Sequence, residues 1–285
     1  MTRITGKRIG PNIPNSIAYL VLTLFCISSI FALLWLLVSS VKSNRDLFSG
    51  NLWGFPRQIV LNNYSKAWEL VHLRDYLVNS LILVPIVVLL VLIVCAPASY
   101  ALAKIRFRHS NKLLNFFILG MGIPGQLLLI PVYLQLSTLG LTNSLLGLGI
   151  EYVSLSIPFS IFLLYGFFKS FPSELEEASA IDGCKPLYNF IRIVVPLSTP
   201  GLITVSIYNF IGIWNEYLFA LILIRDQSLR TLSLGVYSMQ NSLQYMGDWT
   251  TLFAGSIIAT VPVLVIYLFM SERIMQGLTA GALKG

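Results

Sequence analysis

Charge is what this chain has least of. Of its 285 residues only 11% are Asp, Glu, Lys or Arg, against about a quarter in an ordinary soluble domain. Water cannot wet so apolar a surface, which excludes a soluble globule and implies an integral membrane protein. Histidine is nearly missing too: the two, His72 and His109, fall on opposite sides of the membrane in the topology derived below and cannot share one site. No Gly-x-Ser-x-Gly, His-Glu-x-x-His or paired-cysteine motif occurs, so an enzyme is disfavoured. The three cysteines, Cys26, Cys95 and Cys184, are scattered without metal-ligand spacing and read as apolar filler without a disulfide partner. A net charge of +7 would suit nucleic acid, yet no basic run is interleaved with aromatics. The charge instead reports orientation.

What is abundant is apolar length. Hydrophobic residues make up 56% of the chain, and mean hydropathy is +0.78. Six windows, at about 17–40, 77–100, 113–134, 148–168, 201–224 and 252–270, are long enough to cross a hydrocarbon core of about 30 Å. The expected fold is therefore an all-α membrane protein with six transmembrane helices. Pro85, Pro97, Pro124, Pro131, Pro158 and Pro262 lie inside these windows, which a bundle tolerates because neighbouring helices satisfy the freed carbonyls. The first window is read as an uncleaved helix: its apolar run exceeds a signal-peptide core and no small-x-small site follows.

Lys and Arg set the sidedness. Arg3, Lys7 and Arg8 precede the first window, Lys104, Arg106, Arg108 and Lys112 follow the second, and Lys169, Lys185 and Arg192 follow the fourth. Arg273 and Lys284 follow the sixth, whereas the loop between the third and fourth windows carries no charge. Lys42, Arg45, Arg57, Lys66 and Arg74 oppose this pattern, but from a long loop that counts for less. Both termini are expected in the cytoplasm, with the protein multi-pass in the membrane. The chain divides into a cytoplasmic tail (1–16), a first helix with a long external loop (17–76), a core (77–270) and a cytoplasmic tail (271–285).

One polar stretch, at about 173–183, interrupts the apolar pattern on the cytoplasmic side. Ser173 followed by Glu176 is a capping-box start. Glu174, Glu176 and Glu177 complement the positive end of the helix dipole, and Gly183 suits a left-handed stop. Pro186 then fits the first turn of a second short helix. Ala178, Ser179 and Ala180 are small enough to let a foreign surface approach the backbone.

The fifth window is the richest in polar groups. Thr204, Tyr208, Gly212, Asn215 and Phe219 recur at helical spacing, with Asn209, Trp214 and Glu216 beside them. Intramembrane polar residues tend to be functional, and a face of amides, a carboxylate and aromatics suits a path for a hydroxyl-rich solute. The competing reading makes Asn209 and Asn215 interhelical hydrogen-bond partners and Trp214 an interfacial anchor. Gln126, Tyr133 and Glu151 are weaker pathway candidates, Glu151 being expected at the water boundary. The run Gly277 to Gly285 has the glycines of a phosphate loop without its Gly-Lys-Ser/Thr ending. Energy for uphill transport would have to come from another subunit.

The stretch Glu177-Ala178-Ser179-Ala180-Ile181-Asp182-Gly183, nine residues, then Ile193-Val194-Val195-Pro196 resembles the cytoplasmic signature of bacterial ABC importer permeases. That signature reads Glu-Ala-Ala-x-x-x-Gly, nine residues, then Ile-x-Leu-Pro; Ser179 and Val195 are the departures. Tyr76 to Ser80, Ala98 to Phe107, Trp214-Asn215-Glu216-Tyr217 and the terminal Gly277 to Gly285 are similar to the shorter permease of maltose-type carbohydrate importers. The resemblance implies a type I permease fold and a heterodimer with a second, homologous permease. It also implies a pair of ATPase subunits that hold ATP and Mg, an external solute-binding protein, and no cofactor in this chain. It places the protein in the inner membrane of a bacterial cell; membrane lipid is an expected partner and nucleic acid is not.

The resemblance makes Glu176, Glu177, Ala178, Ser179, Ile181, Asp182 and Gly183 the ATPase-coupling helix, and Thr279, Ala280, Gly281 and Lys284 an ATPase-contacting tail. Tyr208, Asn209, Gly212, Asn215 and Glu216 are the candidate pathway residues. The loop 225–249 would correspond to a flexible external probe of the binding protein. Rival readings are an importer for amino acids, metals or polyols, and a self-powered secondary transporter, which predicts internal repeats and more deep charge than Glu216 supplies.

Overall fold

The computed structural model describes residues 13–282 except 71, 106, 173, 175–178, 180 and 182. Helices dominate, and no strand occurs among the described residues. The main helices are α1 (Ile13–Ser40), α2 (Leu73–Lys104), α3 (Ser110–Gly120), α4 (Leu129–Thr138), α5 (Leu145–Lys169), α6 (Thr199–Asn215), α7 (Leu232–Met246) and α8 (Trp249–Ala282). Four of them, α1, α2, α5 and α8, hold a stretch long and apolar enough to span a membrane. Two bent pairs bring the number of spans to six if each pair is one span.

The bundle is organised around α2 and α5. Tyr76, Ser80, Leu83, Val84, Val87, Val91, Cys95, Ser99 and Leu102 recur at helical spacing and are buried. Ile82, Ile86, Leu89 and Ile93 on the same helix are about half exposed. A helix apolar on all sides, with only one stripe buried in protein, has lipid as the partner of its remaining surface. Gly149 of α5 allows close approach: a Cβ there would lie 3.3 Å from Leu83 Cδ1, the small-residue contact typical of membrane helices. Ser99 Oγ donates to the Ile161 carbonyl at 3.3 Å, tying the two helices at their other end.

The third window is not one straight helix. Between α3 and the turn-plus-α4 segment Gly125–Thr138 the chain bends by 91°. Gly120, Gly122, Pro124 and Gly125 cluster there, and Pro124 is extended (φ −60°, ψ 125°). Proline supplies no N–H to continue the helix, and the glycines weaken it further. The chain also bends just ahead of the fifth window. A segment Pro186–Leu197, begun by Pro186 in its first turn, meets α6 at 74°.

At the far end α6 stops at Asn215; Glu216 is extended, and a short helix Leu218–Leu223 follows. α8 runs as one helix of 34 residues through the position expected for a separate C-terminal tail. The two histidines bracket α2, whose 32 residues place them about 48 Å apart. All three cysteines are free.

The loop 225–249, expected from sequence to be a flexible contact, is built on a helix. It holds α7, with Leu232, Leu234, Met239 and Leu243 buried. α2 anchors it from below: Asn79 Nδ2 donates to the Ser228 and Arg230 carbonyls at 2.7 and 2.9 Å. Ser80 Oγ accepts the Leu232 N–H at 2.8 Å. Gly235 sits on the ring of Tyr76, where any Cβ would lie 2.0 Å from Cδ2. The periodicity was legible only as Leu232, Leu234, Met239 and Leu243 among many polar neighbours.

Candidate translocation cleft

The polar groups of the fifth window do not form one continuous face. The chain turns at Glu216 because that carboxylate is held by the next helix: Oε1 accepts the Phe219 N–H at 2.8 Å and Oε2 the Ala220 N–H at 3.4 Å. Two orphan donors at a helix start are thereby satisfied. Phe219, expected on the pathway face, is instead buried at 6% exposure. Thr204 is buried, its hydroxyl donating to the Pro200 carbonyl at 2.9 Å. Trp214, weighed as an interfacial anchor, is buried at 3% exposure and donates its indole N–H to the Ala259 carbonyl at 3.3 Å.

Tyr208, Asn209, Gly212 and Glu216 do line a common cleft of 180 Å³ between α5 and α6. Its other wall is α5, through Tyr152, Leu155, Ser156 and Phe159. Tyr152 donates its hydroxyl to Glu216 Oε2 at 2.7 Å, fixing the carboxylate across the cleft. Phe159 and Tyr208 face each other with ring centroids 3.9 Å apart and planes at 33°. Asn209 is both wall and fastening: Nδ2 donates to Ser160 Oγ and to the Val205 carbonyl, each at 2.9 Å. A Cβ at Gly212 would meet nothing within 4 Å.

Asn215, the last residue of α6, does not line this cleft. It borders an adjoining hollow of 240 Å³ with Gln126 and Glu216, and another of 480 Å³ with Tyr217, Tyr237 and Gln240. Its own amide nitrogen donates back to the Ile211 carbonyl at 2.8 Å. Tyr133 is engaged elsewhere, its hydroxyl accepting from Arg225 Nη2 at 2.6 Å. Glu151, expected at the water boundary, is buried at 6% exposure, and its Oε1 has no hydrogen-bond partner. The reason is the close seating of α5 on α2 at Gly149, which draws the start of α5 into the bundle. Tyr152, Ser156 and Phe159 were not singled out from sequence. Their spacing places them on one helical face, a signal diluted by the other serines and aromatics of that segment.

The polar stretch at about 173–183 is described only in part. Glu176, Glu177, Ala178 and Asp182 lie outside the described residues, as does Lys284 of the tail. Gly183 has φ +79°, the left-handed conformation that favours glycine. Ser179 is buried, and its carbonyl accepts the Cys184 N–H at 3.0 Å. Ile181 is 86% exposed. Thr279, Ala280 and Gly281 belong to the backbone helix of α8. No group of metal ligands occurs among the described residues.

A helical chain with up to six spans, broken helices and a part-polar cleft between two of them is a membrane transport subunit. Residues 95–278 match the family described as binding-protein-dependent transport system inner membrane component, and the chain belongs to it. It is 40% identical over 252 residues to an ABC transporter permease protein of a Caldicellulosiruptor strain, covering 88% of this chain and 90% of that one. It is 31% identical, over 100% of both chains, to a diacetylchitobiose uptake system permease protein of Streptomyces coelicolor. It also matches a chain in the crystal structure of a bacterial ABC transporter involved in import of the acidic polysaccharide alginate. That match has a TM-score of 0.79 and 22% identity, covering 91% of this chain and 96% of that one. The fold is that of a type I ABC importer permease.

Proposed function

We propose that this chain forms half of the translocation pathway of an ATP-driven importer for a sugar, of the oligosaccharide or glycoside class. The cleft carries the reading: a carboxylate held in place by Tyr152, an aromatic pair, and amide and hydroxyl groups within one hollow. Sugars offer hydroxyl donors to a fixed carboxylate and C–H faces to aromatic rings, so this donor set fits them. The full-length similarity to a diacetylchitobiose permease points the same way.

A second permease would complete the pathway, two ATPase subunits would hold ATP and Mg on the cytoplasmic side, and a solute-binding protein would deliver the sugar outside. The stretch around Glu177–Gly183 acts as the lever gripped by the ATPase, and the end of α8, with Thr279, Ala280 and Gly281, reaches the same partner. Both termini are cytoplasmic in this reading. ATP-driven closure moves the levers, the spans rotate, and the cleft opens outward. A ligand shifts such an equilibrium only by its differential affinity for the two states, so the ATPase must hold the lever in both. The test is transport by the reconstituted complex against a panel of radiolabelled mono- and oligosaccharides. Uptake of an amino acid or metal in preference to every sugar refutes the substrate class.

A further inference from the structure

The segment that follows α1 folds back along it. α1 ends at Ser40, yet the ring of Trp53 stacks on Phe31, with centroids 6.0 Å apart and planes at 25°. It also leans on Trp35 at 5.8 Å. Phe31 lies nine residues before Ser40, which at the α-helical rise is about 13 Å below the end of the helix. Trp53 therefore descends alongside the apolar part of α1 instead of standing in the external solvent.

The fold-back is fastened. Lys42, fully buried, donates its ammonium to the Asn51 and Leu52 carbonyls at 2.9 and 3.2 Å. Trp35 Nε1 donates to the same Leu52 carbonyl at 3.0 Å. Asp46 accepts the Arg57 N–H at 2.9 Å and Asn51 Nδ2 at 3.1 Å, closing the loop behind the tryptophan. Trp35 in turn packs edge-on against Phe253 of α8, at 5.4 Å.

What this fixed loop presents outward is apolar. Trp53 is 71% exposed and Phe55 84%, and Phe48, Ile59 and Leu61 are exposed beside them. Arg57, 75% exposed at its side chain, stands at the edge of the patch with its guanidinium 3.5 Å from Asp46. The Trp53 indole N–H has no acceptor among the described residues, unlike those of Trp35 and Trp214. An indole packed against a membrane helix with a free N–H, in a segment that also carries an exposed cation, is the combination that settles among lipid carbonyls and phosphates.

We infer that residues 48–61 form an interfacial anchor embedded in the lipid leaflet at the Ser40 end of α1. Lipid is the occupant because the patch continues the surface of α1, whose spanning window is not buried at all within the chain. The embedded loop would hold the outer end of α1 at a fixed depth while the other spans move. This goes beyond the transport reading and does not depend on which solute is carried.

The test uses the assembled transporter in liposomes, with Trp53 isolated as the fluorescence difference between wild type and Trp53→Phe. Lipids brominated near the carbonyls should quench that difference strongly, lipids brominated near the chain ends weakly, and aqueous iodide little. Strong iodide quenching with no bromine effect places the loop in water and overturns the inference. Absence of both kinds of quenching means protein covers the patch and overturns it equally. A nitroxide on Phe55→Cys, in a background without the natural cysteines, gives an independent reading. Accessibility to oxygen above that to a water-soluble nickel complex is expected; the reverse order refutes.

Discussion

Replacing Gly212 separates a passage from a mere packing defect. The residue lines the cleft, and a side chain there meets no neighbour within 4 Å at its Cβ. Gly212→Ala should therefore fold at least as well as the parent, because alanine in a helix interior is favoured over glycine by about 0.5–1 kcal/mol. Gly212→Phe should also fold, with its ring occupying a cleft of 180 Å³ shared with Phe159, Tyr208 and Glu216. A sugar there would lose a hydrogen bond to a carboxylate, about 1.5–3 kcal/mol, and a ring stack, about 0.5–1.5 kcal/mol. Together that is at least about 2 kcal/mol, or roughly 30-fold in apparent affinity.

The assay is uptake of labelled sugar by proteoliposomes, paired with phosphate release and with recovery of the assembled complex. The expected pattern is unchanged assembly and basal ATP hydrolysis, near-normal uptake for the alanine variant and uptake reduced about 30-fold or more for the phenylalanine variant. Normal uptake by an assembled Gly212→Phe complex would refute the cleft as a route for solute.

Three further outcomes are expected. Gly235→Ala should lower thermal stability by about 1–3 kcal/mol, since its Cβ would meet the buried Tyr76 ring at 2.0 Å. Gly255→Ala, which meets the flexible end of Met239 at 2.3 Å, should do less; equal losses in a melting assay would show that the ring yields as easily as the thioether. Burial pushes the Asp248 carboxyl up, but hydrogen bonds from Asn44 and Thr251, with Lys66 nearby, more than offset this and leave it below the ordinary carboxylate value. A depressed folded pKa contributes stability above the unfolded value of about 3.9 and loses it as pH falls through the folded value. Melting curves should therefore decline less steeply below about pH 4 in Asp248→Asn than in wild type, and identical slopes would contradict the assignment. Gly183→Val should strain a backbone at φ +79° by about 1–2 kcal/mol, raising the ATP hydrolysed per sugar carried; an unchanged ratio counts against the lever.

Several particulars show why sequence and structure divided the work as they did. The left-handed Gly183 and the helix opened by Pro186 were legible because glycine and proline act through their own backbone. The break at Pro124 could be suspected from its glycines, but its angle could not. Glu216 stood out as a deep carboxylate; that it ends one helix, starts another and is gripped by Tyr152 depends on a partner 64 residues away. The α5 wall of the cleft was missed because Ser156 and Phe159 acquire meaning only opposite Tyr208 and Asn209.

The amino-acid order alone determined that this chain lives in lipid, that six segments are long enough to cross it, which sidedness its basic loops lead one to expect and where a polar stretch interrupts the apolar pattern. Each of those follows from local quantities: apolar run length, charge asymmetry and the backbone preferences of single residues. Tertiary structure alone decided which polar groups share a cleft, which are fastenings, and that the loop after α1 turns back along it. Such choices rest on contacts between residues far apart in the chain, which no local pattern encodes.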